Sequence, residues 1–536
     1  MTSEAAIRWL RGALTAALLG CAVVYVGWTW HWPLVGDSSL IHYIAFLMDR
    51  GWAPYRDLGD MNMPGSFLIE WAAMHLFGGG SLAWRLFDLS VVAAAAAGMV
   101  AIAWPEDRLA GVFAGVLLMV VHGRDGINNT GQRDLTMAAL VVVAYAFLFL
   151  TWRRGSGWAA FLFGFCIAAA GTMKPTALPL GVVLLVMLAL VLRGQEKPPG
   201  RVVLAGSAGF LVPLAICWIF LVRERAVGAF VHSLMTVVPY FASLGRKPIS
   251  FLLVHSVSPL LGLVVVWLVI AIGWTFAGRG VGGWTDAWTM QRWERAALLL
   301  GVAAMLAGFV AQGKGFPYHR YPFLALLLMV IGLDLTRALR QRGVWLALGV
   351  LGLGYGAFVV APQSVSAVRR YDWRNQELIA MLQGDLTRMG GATLSGRVQC
   401  LDTISGCTTT LYRMRLEPAT GLLSDFLVFG PEQNVAVRET RKQFLTAVEA
   451  RPPEVIVVTS HLFPSGLGDF EKLGMWPELA GFLGTRYRLC TQRTPSHAVR
   501  WWSRVEQPSS YRIYVLTQCA EAGAGCSVVP PAGCGD

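Results

Sequence analysis

The sequence predicts an α-helical polytopic membrane protein of about eleven transmembrane helices, with an α/β extracytoplasmic domain at its C-terminal end. Three observations predict this. Of the 536 residues, 55% are hydrophobic and only 14% charged, where a soluble domain carries roughly 25% charged residues; the mean hydropathy is +0.54. The apolar residues are concentrated, because residues 1–361 hold long apolar runs while 362–536 have ordinary globular composition. Finally, six of the nine cysteines (Cys400, Cys407, Cys490, Cys519, Cys526, Cys534) follow the last run, as suits a compartment where disulfides persist. The chain therefore divides into a membrane unit, 1–361, with a long first outer loop at 31–80, and a soluble α/β unit, 362–536, with a Cys-rich tail. The net charge of +12 does not signal nucleic acid, since the basic residues sit in short loops between apolar runs, where they set topology and meet anionic lipid.

Stretches long enough to cross about 30 Å of hydrocarbon fall near 11–30, 81–103, 109–122, 135–152, 157–172, 175–192, 202–222, 250–277, 296–311, 319–335 and 344–361. The first follows Arg8 and Arg11. Leu18-Leu19-Gly20-Cys21 resembles a lipoprotein cleavage box, but the many spans behind it make an uncleaved first span the expectation. A cytoplasmic N-terminus puts Arg153-Arg154, the 193–201 loop, Arg279, Arg292 and Arg295, and the loop of Arg337, Arg340 and Arg342 inside. The outer loops then hold about half the Lys/Arg density of the inner ones, as the positive-inside rule requires. Within the first outer loop, 39–50 and 65–77 read as helices lying along the outer surface. If 65–77 crossed instead, every later orientation would flip.

The C-terminal unit reads as α/β, with strands at 397–401, 455–459 and 511–516, helices at 372–388, 432–450 and 469–482, and an irregular tail at 521–536. Six cysteines allow fifteen connectivities, and sequence does not choose among them. Cys400 and Cys407 bracket a short loop and are expected to pair. Cys21, Cys166 and Cys217 lie within spans as packing residues.

Ionisable residues are costly inside a membrane, so their depth is informative. Here they gather at the outer ends of spans: Arg85 and Asp88, Asp134, Lys174, and His319 with Arg320, with Asp334 near an inner end as the exception. A transporter more often places polar groups near the midplane. Each residue has an ordinary reading: Asp37 as a solvated loop acid, Asp57 and Asp60 as turn acids, the 122–134 loop as a helix cap, Lys174 as a snorkelling anchor, His75 and His255 as packing residues. The convergence of four loops with both signs of charge on one face favours a surface site.

At these residues the chain resembles the GT-C superfamily of membrane glycosyltransferases, nearest the protein-mannosyltransferase and aminoarabinose-transferase-like group. The likeness rests on Asp37 opening the first outer loop, Gly51-Trp52-Ala53-Pro54-Tyr55-Arg56-Asp57, Pro64, Leu76-Phe77-Gly78 and Arg85-Leu86. Further on it rests on Gly131-Gln132-Arg133-Asp134, Gly171-Thr172-Met173-Lys174-Pro175 and His319-Arg320-Tyr321-Pro322. It covers most of 1–335. Where many members have Asp-Glu, this chain has Asp37-Ser38, which leaves donor or metal handling open.

The resemblance implies transfer of a sugar from a polyprenyl-phosphate-sugar donor to an acceptor hydroxyl of a lipid, glycan or protein, at the outer face of the cytoplasmic membrane. It makes Asp37 the catalytic base of an inverting reaction, worth roughly 10²–10⁴-fold in rate. Lys174, Arg133 and Arg320 would meet phosphate. Tyr55, Asp134 and His319, with Arg56, Asp57 and Tyr321 of the same motifs, would bind sugar or acceptor. No cofactor is indicated; Asp57 and Asp60 could together ligate a divalent metal, but no His or Cys supports them. A transporter or flippase of lipid-linked glycans, or a non-catalytic envelope scaffold, are the alternatives.

Overall fold

The computed structural model describes residues 3–277, 292–368, 376–403, 405–465, 468–496, 500–501, 504–505, 509–522, 525–531 and 534. Arg279, the first residues (372–375) of the predicted 372–388 helix, and 523–524, 532–533 and 535–536 of the predicted irregular tail lie outside them.

All eleven apolar stretches fall on helices. Among the described residues eight helices are long and apolar enough to cross a membrane, nine with one bent pair. Two more of the expected stretches, Arg108–Asp125 and Gly157–Met173, are helical but do not meet that test. The first carries charges at both ends and the second has only 17 residues, so hydropathy alone passes over them. Both lie deep in the bundle. A Cβ on Gly164 would sit 2.0 Å from the Gly206 carbonyl oxygen, and one on Gly209 would sit 2.0 Å from that of Phe161. Small residues let these helices approach backbone to backbone, the usual basis of packing where lipid supplies no hydrophobic drive. The eighth stretch corrects the expectation. Residues 250–277 do not form one helix but two, Ile249–Ser256 and Leu261–Ala277, bent by 84°. Pro259 lies in the break, where its missing N–H and its ring end the first helix.

Contacts between loops keep to the predicted alternation of ends. At one end Asp107 meets Arg11 and Arg340, and Arg153 meets Glu294. At the other, 31–80 meets 122–132, 172–174, 224–240 and 312–320. The Pro64–Phe77 helix stays at this second end: a Cβ on Gly65 would lie 2.1 Å from Thr172 Oγ1.

The first helix of the 31–80 segment, Gly36–Met48, was expected on the outer surface and is instead buried over most of its length. The C-terminal chain covers it. The Cys407–Met414 helix packs against it, and Tyr412 sets its ring edge-on to His42, Tyr43 and Phe46. Tyr43 donates to the Leu416 carbonyl (2.8 Å), Trp52 Nε1 to Glu417 (2.9 Å), and the Gly59 amide to the Gly421 carbonyl (3.0 Å).

That covering chain is built on a four-stranded sheet ordered Val398–Leu401, Val455–Thr459, Tyr511–Leu516, Tyr487–Arg493. The first pair is parallel and the rest antiparallel. The three predicted strands are present. The fourth, Tyr487–Arg493, follows the Pro477–Arg486 helix directly and is a largely polar edge strand, so it lacks the apolar run that marks the others. The predicted 469–482 helix is a short 3₁₀ turn, Glu471–Met475, followed by that helix, which Pro477 starts. Cys400–Cys407 pair as expected, with Cys490–Cys534 and Cys519–Cys526 completing the set.

Candidate active site

Asp37 stands in the first turn of the Gly36–Met48 helix, where the helix dipole favours a carboxylate. Gly36 has φ +63°, and a Cβ there would stand 3.6 Å from the Asn128 carbonyl oxygen. The chain thus turns tightly against the 127–130 segment, and Ser38 Oγ fixes the approach by donating to the Thr130 carbonyl (2.6 Å). Asp37 remains partly exposed, and Tyr318 donates its hydroxyl to Oδ2 at 3.1 Å.

The next group is set by a buried network at the start of the Ser81–Ala103 helix. Arg85 and Asp88 pair with neither side chain exposed, and Arg85 also bonds Tyr25 and Thr29. His122 stands 3.3 Å from Asp88, whose Oδ1 accepts the Gly131 amide (2.7 Å). Gly131, at φ +63°, leaves no room for a side chain: a Cβ would lie 2.0 Å from Trp84 Nε1. This clamp fixes where the Arg133–Arg154 helix begins, and so where Arg133 and Asp134 stand.

Asp134 is fully buried and pairs with Lys174 Nζ at 2.6 Å. Lys174, in extended backbone before Pro175, also donates to Gln312 Oε1 (2.7 Å). The Arg133 guanidinium makes no hydrogen bond or ion pair among the described residues, yet its charge acts on Asp60, Lys174, Tyr318 and His319. His319 is 7% exposed with Nδ1 unpartnered, and its ring packs edge-on against Tyr318 and Phe316. Asp37, Arg133, Asp134, Lys174 and His319 therefore share one neighbourhood.

Other sequence candidates are engaged elsewhere. Arg320, expected to meet phosphate, is buried in a two-pronged pair with Asp125 (2.8 Å each) and donates to the His255 carbonyl (2.6 Å). Arg320 is thus matched to a carboxylate, as Lys174 is to Asp134. Tyr55, at φ +69°, hydrogen-bonds the Asn62 carbonyl and packs on Phe67 and Phe230. Arg56 pairs with Asp57 (2.7 Å) and reaches the Glu224 carbonyl, while Asp57 also accepts the Ala53 amide. These three shape and tether the loop. Tyr321 is buried edge-on to His122. Asp60 accepts the Asn62 amide, and burial raises its carboxyl while that bond and the charge of Arg133 oppose the rise. Among the described residues no cluster of three or more His, Cys, Asp or Glu could hold a metal.

Sequence reasoning missed Tyr318, Gln312 and Lys314. The signal was the loop Gly313-Lys314-Gly315-Phe316-Pro317-Tyr318, whose two glycines both take positive φ. Lys314 Nζ donates to the Phe241 and Leu244 carbonyls and lies 4.3 Å from the Phe241 ring centre. Burial pulls its amine down to about 8, helped by the charge of Arg246. Phe463 of the covering chain touches the rings of Phe241 and Phe316, closing an aromatic rim beside the site.

No family model matches the sequence, and no curated protein matches it. Solved structures do. ArnT from Cupriavidus metallidurans bound to undecaprenyl phosphate superposes with a TM-score of 0.56 at 14% identity, over 94% of this chain and 98% of that one. Its apo form gives 0.50 at 16% identity over the same shares. The Archaeoglobus fulgidus oligosaccharyltransferase tethered to an acceptor peptide gives 0.50 at 12%, over 91% of this chain and 74% of that one. The chain has the GT-C fold that the sequence resemblance implied.

Proposed function

We propose that the protein transfers a sugar from a polyprenyl-phosphate-linked donor to an acceptor hydroxyl at the outer surface of the cytoplasmic membrane. The observation that carries this is the gathering of a partly exposed carboxylate, Asp37, a guanidinium without a partner among the described residues, Arg133, and the Lys174–Asp134 pair at one end of a helical bundle. A fold shared with an undecaprenyl-phosphate-bound ArnT supports it.

In this reading Asp37 accepts the proton of the acceptor hydroxyl as its oxygen attacks the anomeric carbon. The bond from that carbon to the phosphate oxygen breaks on the opposite face, so the configuration inverts. Polyprenyl phosphate leaves with its electron pair and needs no general acid. Arg133 and Lys174 offset the charge that develops on it, and Tyr318 orients Asp37. Asp134 and His319 bind hydroxyls of sugar or acceptor. Residues 1–361 form the membrane unit and 362–536 the extracytoplasmic cover, whose three disulfides suit an oxidising compartment.

The test is donor turnover by purified protein in liposomes, with binding measured alongside. Asp37→Asn keeps an acceptor for the Tyr318 hydroxyl but removes the base. It is expected to bind donor normally and lose transfer by at least about 10²-fold. Near-normal turnover would remove Asp37 as base. No turnover by the wild type across a panel of donors, with translocation of lipid-linked sugar in sealed vesicles, would replace the reading with a flippase.

A further inference from the structure

At the end of the bundle opposite the candidate active site, a cavity of about 700 Å³ opens between the first helix, the turn at 104–109 and Arg340. Its two halves differ in chemistry. One is a trough on the first helix formed by Gly12, Thr15, Ala16 and Leu19, positions that share one helical face. Leu19 is half exposed there, and a Cβ on Gly12 would meet nothing within 4 Å. The other half is cationic.

Asp107 organises the cationic half. It caps the Arg108–Asp125 helix by accepting the Leu109 amide (3.1 Å) and is only 5% exposed. Arg11 pairs with its Oδ1 and Arg340 with its Oδ2. One buried carboxylate thus holds two guanidiniums, and both keep donors to spare. Arg108 lies 3.4 Å from the Trp104 ring centre and has no carboxylate partner among the described residues. Arg11, Arg108 and Arg340 against Glu106 and Asp107 leave the cavity lining at +1. Trp104 is 55% exposed, as an aromatic side chain is where the bilayer meets water.

We infer that this cavity holds the headgroup of an anionic phospholipid, its phosphate on Arg108 and the free donors of Arg11 and Arg340, and one acyl chain along the Gly12–Leu19 trough. A phosphate suits the planar guanidinium fork, and basic pockets between helices near a membrane surface suit lipid headgroups. The apolar trough selects lipid over a free anion, which would gain nothing from it.

The test uses the full-length protein in detergent, with native mass spectrometry reading the lipid retained from added phosphatidylglycerol or phosphatidylcholine. Phosphatidylglycerol is expected to bind in preference. Arg108→Ala, which strands no buried carboxylate, and Gly12→Leu, which fills the trough without changing charge, should each reduce it about fivefold. Arg193→Ala, an exposed arginine at the same end outside the cavity, should leave it unchanged. An equal loss in Arg193→Ala would mean attraction to a basic face with no site. Unchanged binding in both cavity variants would place the lipid elsewhere. Displacement by millimolar inorganic phosphate would show an anion site only, and each of these three results overturns the inference.

Discussion

At the end of the bundle that bears the N-terminus, buried acids are matched by arginines. Asp334 takes two hydrogen bonds from Arg295 and one from Trp267 Nε1; Glu294 is held by Arg153; Asp107 lies between Arg11 and Arg340. At the end covered by the C-terminal chain the same residue types are left partly unmatched. Among the described residues Asp37 has a tyrosine hydroxyl and no cation, Arg133 has no partner, and His319 keeps an unpartnered Nδ1. Matched pairs also occur there, Arg85–Asp88, Arg320–Asp125 and, beside the unmatched groups, Lys174–Asp134. A buried charge without a counter-charge is costly, so the buried acids are matched and hold helices together, whereas Asp37 and Arg133 are only partly buried and stay open to a ligand that supplies the complement.

This contrast can be broken by mutation. Asp37→Asn should have the largest effect on turnover, with no loss of stability. Next, Arg295→Ala should strand Asp334 and destabilise the protein by about 3–5 kcal/mol, measured as loss of folded protein on heating in detergent. The fraction still folded should turn over normally, and Arg295→Met with Asp334→Leu should recover most of the stability. Arg133→Ala should do the reverse, weakening donor binding and turnover by about tenfold or more with an unchanged melting temperature. If both arginine variants behave alike, the distinction between the two ends fails.

A pH series sharpens the same point. Lys314 is held near 8, below the 10.5 of an unperturbed lysine, so it sheds its proton in the folded state before it would in the unfolded chain. Folding is therefore penalised below about 8, and the penalty lifts between there and 10.5. If its charge attracts the donor phosphate, donor affinity should fall by about two- to fivefold as pH rises through 8, and Lys314→Arg should flatten that fall. The smallest effect belongs to Arg56→Ala. Its exposed pair with Asp57 should leave turnover within about twofold of wild type, and a larger loss would return Arg56 to the site.

The spans were legible because bilayer thickness imposes a length on apolar runs, and the α/β cover because its composition shifts at one place. The break at Pro259 was not, since hydropathy continues unchanged through it. Within the site, Asp37, Arg133, Asp134 and Lys174 could be found as polar residues at span ends. Arg320 looked the same in sequence. Its partner Asp125 lies 195 positions away, and charge alone does not reveal whether a cation is already neutralised. Tyr318 was hidden because a tyrosine in an aromatic, Pro-containing loop also reads as an interfacial anchor.

The hydrogen bond from Tyr318 to Asp37 joins residues 281 positions apart, and this separation has a consequence for biosynthesis. At roughly 5–20 residues per second, on the order of 15–60 seconds pass between synthesis of the acid and of the tyrosine that orients it. The cover at 407–465 emerges later still. During that interval the earlier helices can insert and pack while Asp37 has neither its orienting hydroxyl nor its cover. A ribosome that stalls before the 313–320 segment would thus leave an inserted bundle with no assembled site.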